Sequence, residues 1–415
     1  MNKWLEYRVK DIAIRIGSGG TPSSNVAKYY NSDDYHWINT GDFNNNEVYG
    51  GKQMISNTAV EEISTLRFYP IDTVLVAMYG ASIGKIGLLK VNATVNQACC
   101  AIVPNHKIIS SYFLFYLLIN YKEDLQKESF GGTQPNVSQS IIANIVFKVP
   151  SLSVQQRIVD YLDEKLAKID ERIAVLEKQK DAYVRLKKSV IHQAVTRGLN
   201  PNVPLKDSGV DWIGMVPEHW EVKRIKDVVS INTQVLPENT PYDYMFKYID
   251  IGNVSSDGKI TIGEDVSFYE APSRARRIIK RGDVLVSTVR TYLRAIARVD
   301  FEANDIIAST GFAVLSPKTR VDSAFVVNVI RDVYIVDAIC SLSTGVSYPA
   351  ISALRLSSIS FAIPPLSEQQ AIANYLDDKC AKIDAAIENI GKQIDASKRL
   401  KRALINEVIT GQRAV

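Results

Sequence analysis

Three stretches of this chain have residue types and spacings that could do chemistry. Tyr79 to Gly87, YGASIGKIG, places two glycines ahead of a lysine as phosphate-cradling loops do. Such a loop needs four residues between its glycines and a Ser or Thr after its lysine to meet magnesium. Here Gly80 and Gly84 are one residue too close and Ile86 takes the hydroxyl position, so a turn between two strands is expected. The clusters Asp163-Glu164-Lys165 and Asp377-Asp378-Lys379 have the carboxylates and lysine of a metal-dependent nuclease. Both lie in stretches of helical periodicity, where charges form a solvated or docking face. An amino-methyltransferase holds its flipped base with an (Asn/Asp/Ser)-Pro-Pro-aromatic site, and the only Asn-Pro, in Asn200 to Val203, lies in a segment rich in Pro and Gly. The four histidines (His36, His106, His192, His219) are scattered, and Cys99, Cys100, Cys340 and Cys380 show no CxxC spacing. Neither a structural zinc site nor a nucleophile-base pair follows. The expectation is a chain with no catalytic, cofactor-binding or metal-binding residues of its own.

Recognition of a polyanion is better served. Ser273 to Asp283, SRARRIIKRGD, carries Arg274, Arg276, Arg277, Lys280 and Arg281, and the following STVRTYLRAIAR carries Arg290, Arg294 and Arg298 with Tyr292 between the first two. Arginine neutralises phosphates and also grips guanine O6 and N7 bidentately in a major groove. The alternative for Arg274 to Arg281 is a solvated helix face. Nearer the N-terminus the candidates are amides and hydroxyls: Ser18, Gly19, Gly20 and Thr21 in IGSGGTPSS, Asn39 and Thr40 in WINTGDF, Tyr79 and Ser82, and Thr133, Gln134 and Asn136 in FGGTQPNVS. Asn and Gln can pair bidentately with adenine, and Gly lets backbone N–H groups approach phosphates. Taken singly each is a common turn residue. Together they form four polar loops between strands, which could converge on one face. Ser343, Thr344 and Tyr348 in LSTGVSYPAIS complete the set in the second half.

The elements that must position these loops are organised by a duplication. Pro150 to Thr196 returns as Pro364 to Thr410 at a constant offset of 214 without a gap, Gln155-Gln156 matching Gln369-Gln370 and Lys168-Ile169-Asp170 matching Lys382-Ile383-Asp384. Apolar residues at Leu162, Leu166, Ile169, Ile173, Leu176, Tyr183, Leu186 and Val190, with a break at Lys180, mark a coiled-coil seam. The copy continues it at Leu376, Cys380, Ile383, Ile387, Ile390, Ile394, Leu400 and Leu404. Two helices of roughly 40 residues, each about 60 Å long, are predicted, with Ser153 and Ser367 as caps. Two copies in one chain make an intramolecular pair simpler than a homodimeric coiled coil. The flanking globules repeat more loosely: KYIDIGNV stands where WINTGDF does, and GDVLVSTVRTYLRAIARV where DTVLVAMYGASIGKIGLL does. Each mixes short strands with amphipathic helix such as Ser110 to Lys127. The fold class is α+β (mixed α/β), an internal repeat of globule and long helix. The divisions are 1–149, 150–198, a linker at 199–217, 218–363 and 364–412, the extended stretch Gly198 to Trp220 being anchored by Trp212 and Trp220.

The order of these parts, the phrase KDSGVDWIGMVPEHWEVKRI (Lys206 to Ile225) and the repeated LSxQQxI from Leu152 and Leu366 at each helix start resemble the specificity subunit of type I restriction-modification systems. The resemblance covers essentially the entire chain. It implies two target-recognition domains, each reading one half of a bipartite double-stranded DNA site. Two antiparallel helices with pseudo-two-fold symmetry would hold them apart. It implies docking of two adenine-methylating subunits on those helices, with restriction subunits joining that core. S-adenosylmethionine, ATP and Mg would then belong to the partner subunits.

Bulk properties agree with this reading without establishing it. A chain of 415 residues exceeds one core, and 46% hydrophobic with 23% charged residues is ordinary for a globular protein. A net charge of +4 is compatible with a polyanion but weak. No apolar run approaches a membrane span, and MNKWLEYRVKD lacks a signal core, so a cytoplasmic protein is expected. The competing reading is a coiled-coil adaptor whose globules bind other proteins.

Overall fold

The computed structural model describes residues 4–129 and 135–415. The chain forms two compact units, Met1–Leu176 with Lys392–Val415, and Glu177–Gly391.

In the first unit a five-stranded sheet runs in the order Ala13–Gly17, Cys99–Pro104, Val74–Ala77, Ile86–Leu89, Asn46–Val48. A four-stranded sheet runs Gln53–Ile55, Tyr35–Ile38, Ala93–Val95, Phe68–Tyr69. The central strands read as unbroken apolar runs because both faces are covered. Val74, Val76, Ile86, Leu88, Cys100 and Ile102 enter a core with the helix Ser111–Asn120, while Leu75, Ala77, Leu89, Cys99 and Ala101 enter a second core with Ile38 and Val95. This is the two-residue period of a strand directed at two cores. Ser110 caps this helix and accepts a hydrogen bond from the Phe113 amide.

The second unit repeats this plan. One sheet runs Val229–Ile231, Phe312–Pro317, Val284–Ser287, Ile296–Arg298, and the other Asp265–Ser267, Met245–Ile249, Ile306–Ser309, Ala275–Ile278. Val284 and Val286 face one core and Leu285 the other. The sheet with Tyr35–Ile38 in the first unit and the sheet with Met245–Ile249 in the second each contain a parallel pair, Trp37 opposite Thr94 and Lys247 opposite Ile306. The segment expected as an extended linker folds instead into a hairpin, Leu205–Asp207 with Met215–Pro217, and Ile213 and Trp220 are buried in the core of the second unit.

The long helices are Leu152–Arg197 and Leu366–Ile409. Ser153 and Ser367 fall inside the first turn rather than capping it. The repeated glutamine fixes each start. Gln155, fully buried, donates to the carbonyls of Pro150 and Ile108 at 2.8 Å and accepts from the Ser110 amide at 2.8 Å. Gln369 donates to the carbonyls of Pro364 at 2.8 Å and Arg320 at 3.3 Å and accepts from the Asp322 amide at 2.8 Å. A buried amide with every contact satisfied locks the helix to the globule before it.

Within each unit the helix segments are antiparallel. In the first, Leu162 and Leu166 share a core with Leu404, Ile405, Val408 and Ile409, and Asp170 receives Lys401 at 2.6 Å. In the second, Ala194 and Val195 share a core with Ile372 and Leu376, and Asp384 receives Lys187 at 2.6 Å. These ion pairs are the same pair under the offset of 214. Leu162, Leu176, Leu376, Ile383 and Ile390 are buried, and Ile169, Ile173 and Ile387 are half-buried. The predicted seam is wrong at Leu186 and Leu400, which are exposed. Beyond Tyr183, itself largely exposed, the three-four spacing continues through Lys187, and in the copy through Ser397 and Lys401. The lysine stem lies on the seam and its ammonium reaches the opposite helix, so the leucine one residue earlier turns about 100° outward.

Candidate nucleic-acid interface

In the first unit the polar loops are tied to one another. Ser18 Oγ accepts from Gln139 Nε2 at 2.8 Å, Thr21 donates to Gln97, and Asn96 Nδ2 donates to Asn39 Oδ1 at 3.0 Å. Met78 N–H donates to Ala98 O at 2.9 Å, Val137 N–H to Met78 O at 2.9 Å, and Gly80 N–H to Pro135 O at 2.8 Å. Tyr79 pairs with Asn136 as an isolated β-bridge and its side chain is exposed. Thr40 and Ser82 are half-buried on the same loops. Gly19 and Gly20 seat their loop against the chain itself, because a Cβ at Gly19 would fall 1.7 Å from the Val95 carbonyl oxygen and one at Gly20 2.2 Å from Thr65 Oγ1. Thr133 and Gln134 lie outside the described residues. Asn96, Gln97 and Gln139 were missed. An Asn-Gln pair before the apolar run of Cys99–Pro104 is itself a loop signal that could have found the first two.

The second unit builds its loop framework with the same bonds. Thr288 N–H donates to Gly311 O at 2.8 Å, Ile351 N–H to Thr288 O at 2.9 Å, and Arg290 N–H to Pro349 O at 2.7 Å. These match the bonds of Met78, Val137 and Gly80 one for one. The turn expected at Tyr79 to Gly87 is present as the short helical turn Gly80–Ser82, and its counterpart is Thr291–Leu293. Thr291 Oγ1 and Ser343 Oγ lie 3.0 Å apart, Thr344 bridges Ala350, and the Arg290 guanidinium lies 4.5 Å from the centre of the exposed Tyr348 ring. Tyr292, two residues along the chain, is exposed. Arg294 turns toward Asp337 at 3.6 Å.

Arg274 to Arg281 is not a helix face. Ala275–Ile278 is a strand of the four-stranded sheet. Arg274 is exposed, and its carbonyl accepts from Thr310 N–H at 2.7 Å beside the Gly311 that receives Thr288. Arg276 stacks on Phe268 at 4.6 Å. Arg277 is half-buried with its Nε unpartnered, and burial lowers the basicity of its guanidinium. Arg274 and Arg290 are thus joined by a hydrogen-bonded string of loops, whereas Arg276 and Arg277 are held by the sheet. The thiol of Cys100 is pushed up to about 12 by burial, which keeps it unreactive. Among the described residues no helix is long and apolar enough to cross a membrane.

Comparison with known proteins places this architecture. The family model described as type I restriction modification DNA specificity domain matches residues 1–181 and again 217–395. The MjaVIII specificity subunit of Methanocaldococcus jannaschii is 25% identical over 82% of this chain and 78% of its own length. The EcoDI specificity subunit of Escherichia coli is 22% identical over 90% and 86%. Among solved structures, a chain of a type I restriction-modification complex studied for its assembly and conformational transition has the same fold at TM-score 0.76, 16% identity, and coverage of 99% and 98%. The HsdS subunit of Thermoanaerobacter tengcongensis matches at TM-score 0.55 with 16% identity over 99% and 97%. The repeat, the glutamine-locked helices and the twofold match of the family model lead to one conclusion: the chain belongs to the type I restriction-modification DNA specificity family and is a sequence-specificity subunit that binds DNA.

Proposed function

We propose that each unit reads one half of a bipartite DNA target and that the chain has no catalytic activity of its own. One observation carries this reading. The same three backbone bonds hold the loops of both units while the exposed side chains on and beside them differ, with Tyr79 and Asn136 in the first and Arg274, Arg290 and Tyr348 in the second. A common scaffold with different exposed side chains is what two readers of different sequences require. Phosphate contacts supply affinity and loop contacts choose the bases. Half-sites separated by an unread spacer would be engaged about one helical turn apart.

Methylation subunits would dock on the long helices and restriction subunits on the resulting core, in the cytoplasm. S-adenosylmethionine, ATP and Mg would be bound by those partners, which would flip the target adenine. Leu186 and Leu400, related by the offset of 214 and both exposed, are apolar positions suited to contact the same partner twice. Lys165, Lys168, Glu171 and Arg172 add charge to the first helix.

The test is exchange of residues 218–363 for the equivalent domain of a relative, with the methylated-adenine motif mapped genome-wide. One half of the motif should change. A change in both halves, or none, would refute modular reading.

A further inference from the structure

The loops that the duplication makes equivalent differ in one respect that backbone energetics makes informative. In the first unit Gly80 opens the turn and Gly84 follows it, with φ of +58° and +75°. Arg290 and Arg294 bracket the turn of the second with φ of +51° and +56°. This left-handed region costs an L-residue conformational energy that glycine avoids. A strained non-glycine residue at a position its own duplicate fills with glycine points to a use for the side chain. The two arginines differ in what they meet. Arg294 turns to Asp337, an ion pair that accounts for it within the fold. Arg290 is exposed and, among the described residues, enters no ion pair. Its guanidinium stacks on Tyr348 with the carbon 4.5 Å from the ring centre. Gly80 shows that this position opens outward, since among the described residues a Cβ there would meet nothing within 4 Å.

A guanidinium lying over an aromatic ring has its plane fixed and its N–H edge free. Bidentate hydrogen bonding to two acceptors in one plane requires that arrangement. A phosphate contact needs no such fixing, because a flexible cation satisfies it. In a major groove the matching pair of acceptors is guanine O6 and N7. From the αL arginine, its tyrosine platform and the glycine at the equivalent position, we infer that Arg290 reads a guanine in the half-site of the second unit, with Tyr348 as its positioning residue. The inference rests on the reading of that unit as a DNA-binding domain. It also separates the two half-sites chemically, since the first unit offers no arginine at this position.

The experiment uses the full chain assembled with its methylation subunits, and duplexes carrying the motif obtained from adenine-methylation mapping. Each guanine in the half-site of the second unit is replaced in turn by 7-deazaguanine, which lacks the N7 acceptor, and affinity is read by fluorescence anisotropy. One replacement should weaken wild-type binding by roughly 10- to 150-fold, the range of one lost hydrogen bond to a charged donor, and leave Arg290→Ala binding unchanged within about twofold. Arg290→Gly, which removes the side chain and relieves the backbone, should behave like Arg290→Ala and melt no lower than wild type. Tyr348→Ala should weaken binding to the normal duplex while Tyr348→Phe restores it. The inference is overturned if the half-site lacks guanine, or if no 7-deaza duplex discriminates wild type from Arg290→Ala. It is also overturned if Arg290→Ala weakens target and scrambled duplexes equally and lowers the salt slope by about 1, the signature of a phosphate contact. If wild type bound target and scrambled duplexes alike, the underlying reading would fail instead.

Discussion

Trp220 offers a sharp test of how a globule is fastened to its helices. Its side chain is fully buried, Nε1 donates to Glu368 Oε1 at 3.2 Å, and His219 Nε2 meets Glu368 Oε2 at 2.9 Å. The ring also lies against Gly198, which ends the first long helix at φ +73° and whose Cβ, were there one, would sit 3.2 Å from the indole. One indole therefore joins the end of one helix to the start of the other within the second unit. Trp220→Ala removes a large buried ring and should cost about 3 to 5 kcal/mol. That is a large share of the stability typical of a domain, about 5 to 15 kcal/mol. For a unit of this size the melting temperature should fall by about 6 to 20 °C. Trp220→Phe keeps most of the volume and loses the hydrogen bond, for about 1 kcal/mol plus the unfilled space. Gly198→Ala should cost about 1 to 2 kcal/mol from the left-handed backbone. The assay is urea unfolding followed by circular dichroism, with hydrogen exchange read by mass spectrometry. Peptides of Glu177–Gly391 should lose protection before those of Met1–Leu176. A Trp220→Ala loss below about 1 kcal/mol, or protection lost equally in both units, would refute the reasoning.

Two further outcomes concern the helices. Ile169→Asp with Ile383→Asp places a carboxylate at one half-buried and one buried seam position. Burying an unpaired charge is costly, so the double variant should lose co-purification with methylation subunits, and retained assembly would show that the seam does not hold the platform. Leu186→Glu with Leu400→Glu alters exposed positions, so stability should stay within about 0.5 kcal/mol of wild type. Methylation-subunit binding should weaken, as pull-down titration would report; unchanged binding would remove these leucines from the docking face.

Particular residues show why parts of the fold and of the site were legible in the sequence. The long helices announce themselves because a 3.5-residue spacing of apolar residues over about eight turns in each copy has no other cheap explanation. The central strands appear as runs such as VLVA because both of their faces are buried. The error at Leu186 and Leu400 has an equally local cause. Periodicity counts apolar side chains and cannot show that Lys187 and Lys401 occupy the seam because each reaches an aspartate on the other helix.

The sequence by itself determined the duplication and the class of fold, and its motifs carried the resemblance to the family that the comparisons show. The first two follow from residue order and spacing along one chain. Tertiary structure decided which arginines are free to reach outward. Arg276, Arg277, Arg290 and Arg294 are indistinguishable as letters. Packing places the first two in a sheet, stacks Arg276 on Phe268, leaves Arg277 half-buried and pairs Arg294 with Asp337. Only Arg290 among these four is left exposed on an aromatic platform. The physical reason is that a guanidinium is committed by whatever acceptor or ring lies within a few ångströms of it, and such neighbours come from segments that folding alone brings together.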